Sequence, residues 1–226
     1  MDNKLVKLYG LKHSGSHYLD WLLKHNTEEV VVLHNQTGWN HGEIQTKFNW
    51  NVETWNTDPV HRMDSLYEGH IKNSVLLTRD LPVSEYKKEI QQLYQDKTLP
   101  LIILMRNPYS WIYSNSVKHA KASNNATFED SAIMWNRMNR NYIEETTFPK
   151  LFIKFENLQQ NPEEELKRVA EFLDVELTTP FINSDRDMIQ KEHGGDVPFI
   201  NDANFSLQGE VDKWLAPDIL NFYNSL

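Results

Sequence analysis

The chain contains no cysteine. That excludes disulfides, thiolate metal sites and cysteine nucleophiles, and it leads us to expect a reducing, cytoplasmic setting. Long apolar runs are missing too. The longest, Leu99–Met105, covers seven residues, against the ~20 that a membrane span needs. The opening MDNKLVKLYG has no apolar h-region of the kind a secretory leader carries, so neither membrane insertion nor export is expected. Positive charge is scarce, with 23 Lys and Arg against 32 Asp and Glu and a net charge of −9. A duplex nucleic-acid binder shows a basic face to the phosphate backbone. This chain has enough cations for a local basic pocket only, which favours a small anionic ligand over a polyanion. Nothing in the sequence reports an oligomeric state.

What is present is an alternation of short aliphatic runs with longer helix-period segments over 226 residues. The length suits one domain, 1–226, with a full core. Strands are expected at Leu5–Leu11, Glu29–Asn35, Ser74–Thr78, Pro100–Arg106 and Leu151–Phe155. Helices are expected at Ser16–His25, Ser84–Gln95, Pro108–Lys121, Phe128–Thr146 and Pro162–Leu173. Such alternation predicts an α/β fold with a parallel sheet. Asn107-Pro108 and Asn161-Pro162 each place a capping asparagine before a proline at the first helical position. Leu166, Val169, Ala170 and Leu173 give the last of these helices one apolar face. Two polar stretches without a period, 36–73 and 178–207, are expected to fold over the strand ends, where α/β sheets bind ligands.

The sharpest local signal lies at the start. Between the first strand and the first helix runs Gly10-Leu-Lys-His-Ser-Gly15-Ser16, which is the G-x-x-x-x-G-K-[ST] phosphate loop without its lysine. Positive charge sits earlier, at Lys12 and His13. A glycine-bounded turn opening a helix aims backbone N–H groups at one spot, and the helix N-terminus adds positive potential. Ser14, Gly15 and Ser16 would supply those groups and two hydroxyls. The plainer reading is a tight turn built from small residues; the strand before it and the helix after it favour anion binding.

A second motif, LIILMRNPYSWIYSNSVKHAK (Leu101 to Lys121), puts Arg106 at a strand's end and Ser114 two turns into a helix. Ile112, Tyr113, Val117 and Ala120 are expected to form its apolar face, with Ser114, Lys118 and Lys121 sharing another. An arginine in such a position can grip a phosphate with two prongs. The lysines are read as solvated. A third segment, LFIKFENLQQNPEEELKRVAEFL (Leu151 to Leu173), carries no chemistry of its own.

Taken in order, the three segments resemble sulfotransferases that use 3′-phosphoadenosine-5′-phosphosulfate (PAPS), which implies an α/β, three-layer P-loop-like fold with a central mostly parallel sheet flanked by helices. His13-Ser14-Gly15-Ser16 is similar to that family's basic residue followed by Ser-Gly-Thr. GLKHSGSHYLDWLL is close to a bacterial form with GLKRSGNH ahead of Trp-Leu. Arg106, Pro108 and Ser114 match Arg-x-Pro with a serine eight positions after the arginine, and FENLQQNPEEELKRVAEFL matches a later YEDL…PEEEL…FL phrase. The resemblance implies that Lys12, His13, Ser14, Gly15, Ser16 and His17 surround the 5′-phosphosulfate. It implies that Arg106 and Ser114 bind the 3′-phosphate, that the product is the bisphosphate, and that no metal takes part. The acceptor would be a hydroxyl or amine on a small molecule or carbohydrate.

The chain departs from the family pattern in two places. His13 stands where Lys or Arg is usual, so either His13 or Lys12 could meet the leaving oxygen. At the C-terminus, LQGEVDKWL (Leu207 to Leu215) replaces the Arg-Lys-Gly of some members. For the acceptor's base, His41 in HNQTGWNHGE comes first, because the bacterial form has a similar Trp-x-His-Gly; Asp80 and His34 follow, and a packing role is open for each. Trp39, Trp50 and Trp55 could line an acceptor pocket or belong to the core. His34, His41, His61 and His70 match no familiar zinc spacing. Two other functions stay open. One is a P-loop small-molecule kinase using ATP, disfavoured by the missing lysine and by arginine at the strand end. The other is a non-catalytic nucleotide binder.

Overall fold

Near-continuous aliphatic strands are what a parallel sheet covered on both faces demands, and such a sheet forms the centre. A computed structural model describes residues 4–33, 37–49, 87–118, 125–183 and 208–226. Its four strands are β1 (Lys4–Gly10), β2 (Val30–Leu33), β3 (Leu101–Met105) and β4 (Lys150–Lys154), in the order β2-β1-β3-β4. All pairings are parallel: Leu5 lies beside Val31, Tyr9 beside Ile103, and Ile103 beside Phe152.

Alternate strand residues feed two cores. On one face Val6, Leu8, Ile102, Leu104 and Ile153 pack against Leu19, Leu22 and Leu23 of α1 (Ser16–Asn26) and against Leu166, Val169 and Leu173 of α6 (Pro162–Leu173). On the other, Leu5, Tyr9, Leu101, Ile103 and Met105 meet α2 (Lys87–Asp96) through Ile90 and Tyr94. The same face meets α4 (Phe128–Glu144) through Trp135, Met138 and Tyr142. The remaining elements are α3 (Pro108–Tyr113), a π-helical turn at Ser114–Lys118, α5 (Phe155–Gln160), α7 (Gln208–Val211), a 3₁₀ turn at Asp212–Trp214 and α8 (Pro217–Ser225). The result is the expected three-layer α/β architecture.

The chain leaves β1 for β2 on one side and later returns to β3 on the other. The crevice beyond the C-terminal ends of β1 and β3 is therefore the switch point of the sheet, where doubly wound folds bind ligands. Among the described residues, no helix is long and apolar enough to cross a membrane.

Several boundaries differ from the sequence expectation. The helix expected over Pro108–Lys121 is α-helical only to Tyr113 and widens into the π turn. Asn115 Nδ2 donates to Ser131 Oγ at 2.9 Å, and Ser116 Oγ lies 2.7 Å from that same oxygen. Two consecutive side chains of the turn thus reach one point on α4. Val117, expected on the apolar face, is exposed, and Trp111 joins Ile112 in the core. Phe155, expected to end a strand, begins α5. Asn107 caps α3 as expected, its Oδ1 accepting from the N–H groups of Tyr109 and Ser110 at 3.0 and 3.2 Å. Asn161 makes no side-chain cap on α6, although Glu163, Glu164 and Glu165 do fill its first turn. The expected strand Ser74–Thr78 lies outside the described residues, as do His34, Trp50, Trp55, His61, His70, Asp80, Ala120 and Lys121.

Candidate active site at the switch point

The loop after β1 begins with a close approach. A Cβ on Gly10 would stand 2.8 Å from the Leu104 carbonyl oxygen, so only glycine lets β1 end this tightly against β3. The backbone then turns through His13 (φ 63°) and Gly15 (φ 88°), both left-handed, and Ser14 N–H closes the turn on Leu11 O at 3.1 Å. Left-handed residues at these two positions give a concave run of N–H groups, an anion nest. Gly15 is fixed from above as well: a Cβ there would lie 2.4 Å from the ring of Phe155.

Two donors hold the loop by its carbonyls. Arg106 Nη1 donates to His13 O at 2.9 Å, and Trp111 Nε1 donates to Lys12 O at 2.7 Å. With those oxygens engaged from the β3–α3 side, the loop's N–H groups are left for the opposite side. The N-cap of α1 is Gly15, which offers no side-chain acceptor, and no acidic residue occupies the first turn. Among the described residues, then, no side chain caps its orphan N–H groups and no first-turn acid offsets its positive end. Ser14 Oγ is buried and has no hydrogen-bond partner among the described residues. A buried hydroxyl without a partner is costly. An anion's oxygen in the nest would satisfy it.

Arg106 is itself buried, at 7% exposure. Its Nε donates to Ser110 Oγ at 3.2 Å and its guanidinium lies 5.1 Å from the Phe155 ring centroid. Burial pulls its pKa below the usual value, while Glu156 and Tyr223 oppose that. Glu156 accepts from Asn107 N–H and from Tyr223 OH, each at 2.9 Å, tying the ends of β3 and β4 to α8. Ser114 is buried at the start of the π turn. Among the described residues no hydrogen bond joins it to the loop. The structure thus brings together Lys12, His13, Ser14, Gly15, Ser16, His17 and Arg106 at one strand edge, with Ser114 two turns along from Arg106.

His41 comes to the same edge from the polar stretch after β2. Its Nδ1 lies 2.7 Å from Gly10 O; a carbonyl only accepts, so Nδ1 carries the hydrogen and Nε2 a lone pair. Burial holds the imidazole down to about 4. The Gly10 bond opposes this, and His17, Lys12 and Lys7 add smaller downward pushes. His41 is therefore neutral near pH 7. Trp39, 52% exposed, meets His41 edge-on at 5.6 Å between centroids and has Lys12 Nζ 5.3 Å from its own. Among the described residues no group of three or more His, Asp or Glu is placed to hold a metal ion.

Sequence reasoning missed Trp111, Glu156 and Lys7. The signal for Lys7 was there to read: a lysine inside the aliphatic run KLVKLYG has to be solvated on a sheet edge or partnered, and β1 is central.

The family model of the sulfotransferase domain matches residues 5–213. No curated protein matches. Among solved structures, the chain is similar to the "Sulfotransferase Domain from the Synechococcus PCC 7002 Olefin Synthase", at 16% identity and a TM-score of 0.43, over 100% of this chain and 95% of that one. It is also similar to the "Sulfotransferase Domain from the Curacin Biosynthetic Pathway", at 13% identity and a TM-score of 0.43, over 96% and 99%.

Proposed function

The chain belongs to the sulfotransferase domain family, and we propose that it moves the sulfuryl group of PAPS to a hydroxyl or amine on a small-molecule or carbohydrate acceptor. The carrying observation is the loop whose Lys12 and His13 carbonyls are held by Trp111 and Arg106, with the buried Ser14 hydroxyl lacking a partner among the described residues. These features suit an anion held by backbone N–H groups and a hydroxyl, a role that does not call for the missing lysine.

In this reading the N–H groups of Gly15, Ser16 and His17, with Ser14 Oγ, hold the 5′ end of the donor, and Arg106 and Ser114 face its 3′-phosphate. When bound, the donor supplies an electrophilic sulfur and a phosphate oxygen that departs with the electron pair of the broken S–O bond. Residues of the chain do the rest. His41 Nε2 takes the proton from the acceptor O–H or N–H as its heteroatom bonds to sulfur. Lys12 belongs to the loop, with its Nζ over Trp39 and its charge felt at His41, so we assign it the charge on the departing oxygen. Trp39, exposed beside His41, offers a face to the acceptor.

Calorimetry with adenosine 3′,5′-bisphosphate and with ATP plus magnesium tests the donor. Micromolar binding of the bisphosphate is expected, and preferential binding of ATP would overturn the reading in favour of a kinase. Labelled PAPS with an acceptor panel tests turnover, and donor held but not consumed by any acceptor would point to a binder.

A further inference from the structure

Lys7 stands in the middle of β1 between Val6 and Leu8, beside Leu33 and Leu101, and is fully buried. An aliphatic residue would satisfy a central strand at far lower desolvation cost. The ammonium instead reaches the turn after β2. Nζ donates to Gly38 O and to Asn40 Oδ1, both at 2.7 Å, and lies 5.3 Å from the Tyr9 ring centroid. Asn40 in turn accepts Gly10 N–H on its backbone oxygen at 3.1 Å. His41, the next residue, donates Nδ1–H to Gly10 O at 2.7 Å. The last residue of β1 is thus bonded through its N–H to Asn40 and through its C=O to His41.

We infer that Lys7 is a positioning residue: it pins the Gly38–His41 turn to the end of β1 and so fixes which nitrogen of His41 faces outward. This rests on the reading of His41 as the acceptor's base. Other contacts hold the neighbouring backbone independently. Tyr94 OH donates to Thr37 O at 3.4 Å, Tyr142 OH to Gly42 O at 3.2 Å, and Gln45 N–H to Tyr9 OH at 3.1 Å. Loss of Lys7 therefore frees the turn between these anchors and leaves the segment on the sheet. Several groups face His41. They are Lys7 from β1, Lys12 from the loop and His17 from α1; from α4, Tyr142 and Arg137 instead meet the following residues, Gly42 O at 3.2 Å and Glu43 at 3.9 Å. With so many cations near it, an imidazole that left its Gly10 anchor would still be repelled, but solvent would then stabilise its charged form.

The test compares wild type with Lys7→Met, Lys7→Arg and Asn40→Ala, using ring-¹⁵N NMR of His41, bisphosphate calorimetry and turnover. Lys7→Met and Asn40→Ala are expected to raise the His41 midpoint toward the ordinary ~6.5 and to mix its tautomers. The maximal rate should fall by about tenfold or more, with bisphosphate affinity nearly unchanged. Lys7→Arg should retain part of the wild-type tautomer preference. A folded Lys7→Met protein with wild-type His41 tautomer and midpoint would overturn the inference. Should that variant not fold, the Asn40→Ala spectra decide on the same criterion. The NMR readout needs no turnover, so a wild type inert toward every acceptor would overturn the proposed function and leave the positioning role to be judged by the spectra.

Discussion

Arg106 Nη1 sits 2.9 Å from the carbonyl oxygen of His13, so the residue that follows β3 supports the backbone of the loop that follows β1. The contact links two strand ends across the switch point, and it makes Arg106 a strut for the loop in addition to the donor-binding cation we propose it to be.

Arg106→Ala should therefore cost twice, once in the loop and once in the ligand. Hydrogen bonds from a charged group are each worth about 1.5–3 kcal/mol, and the variant leaves the His13 carbonyl without its donor. We expect bisphosphate affinity to fall by about ten- to a hundredfold, read by calorimetry, together with a lower Tm. Arg106→Lys should recover little of it, since one ammonium cannot reach both His13 O and Ser110 Oγ in the guanidinium's geometry.

Trp111→Phe isolates the strut from the charge. It keeps an aromatic ring in the core and the Arg106 charge in place, and removes the Nε1–H that meets Lys12 O at 2.7 Å together with part of a fully buried indole. A loss of about 2–3 kcal/mol in stability is expected, about 1 from the hydrogen bond and the rest from the void left by the smaller ring, measured by urea unfolding. Bisphosphate affinity should weaken by only a few fold, because the cation remains.

Gly15→Ala meets two obstacles: a left-handed φ of 88° and the Phe155 ring, 2.4 Å from the new Cβ. The first alone costs about 1–2 kcal/mol, and the second forces Phe155 off Arg106. Gly209, in α7, would carry a Cβ with nothing within 4 Å of it, so Gly209→Ala serves as the control and should be neutral or stabilising by about 1 kcal/mol. Thermal melts with and without bisphosphate check both. Only Gly15→Ala should lose the ligand-induced rise in Tm.

How far the sequence revealed this site depended on how local each determinant is. The strand–turn–helix at Gly10–Ser16 and the Asn107 cap with Pro108 are written in adjacent residues, and both were legible. The resemblance brought Arg106 and Ser114 to the same ligand. The π turn was not legible: the contacts its side chains make are to Ser131, on another helix. Glu156 read as one more acid in a charged segment; its partners Asn107 and Tyr223 lie 49 and 67 positions away. His41 was singled out by its neighbours in sequence, yet its neutral state and tautomer come from Gly10 O and burial, which only the fold supplies.

The depressed pKa of His41 has a consequence for stability with a definite sign. Its folded value, about 4, lies below the ordinary unfolded value. Between pH ~6.5 and about 4 the unfolded chain binds a proton that the folded chain does not, so stability falls as the pH is lowered through that window. The contribution is at most about 3 kcal/mol, full above the window and lost by its acid end, below which both states are protonated alike. Denaturant titrations at about pH 4.5 and 7.5, which bracket most of that window, should show a wild-type difference that His41→Gln lacks in part. Bound bisphosphate, bringing negative charge near the ring, should raise the His41 midpoint in NMR titrations.

The pair Lys12 and His13 can be separated by kinetics. Lys12 is exposed, its Nζ faces Trp39, and its charge is felt at His41; His13 has its carbonyl held by Arg106 and a left-handed backbone. A cation on the transfer line stabilises charge that develops only in the transition state, and removing such a group typically costs about 10²–10³ in rate. Lys12→Ala should therefore lower kcat by about a hundredfold with little change in KM for the donor. His13→Ala should act mainly through the loop and raise that KM. The pH profile supplies a second criterion. If His13 donated a proton to the leaving oxygen, kcat would decline as the pH rose through the histidine range near ~6.5, and His13→Lys would abolish that decline. With Lys12 in the role, wild type shows no such decline and His13→Lys leaves the profile's shape unchanged.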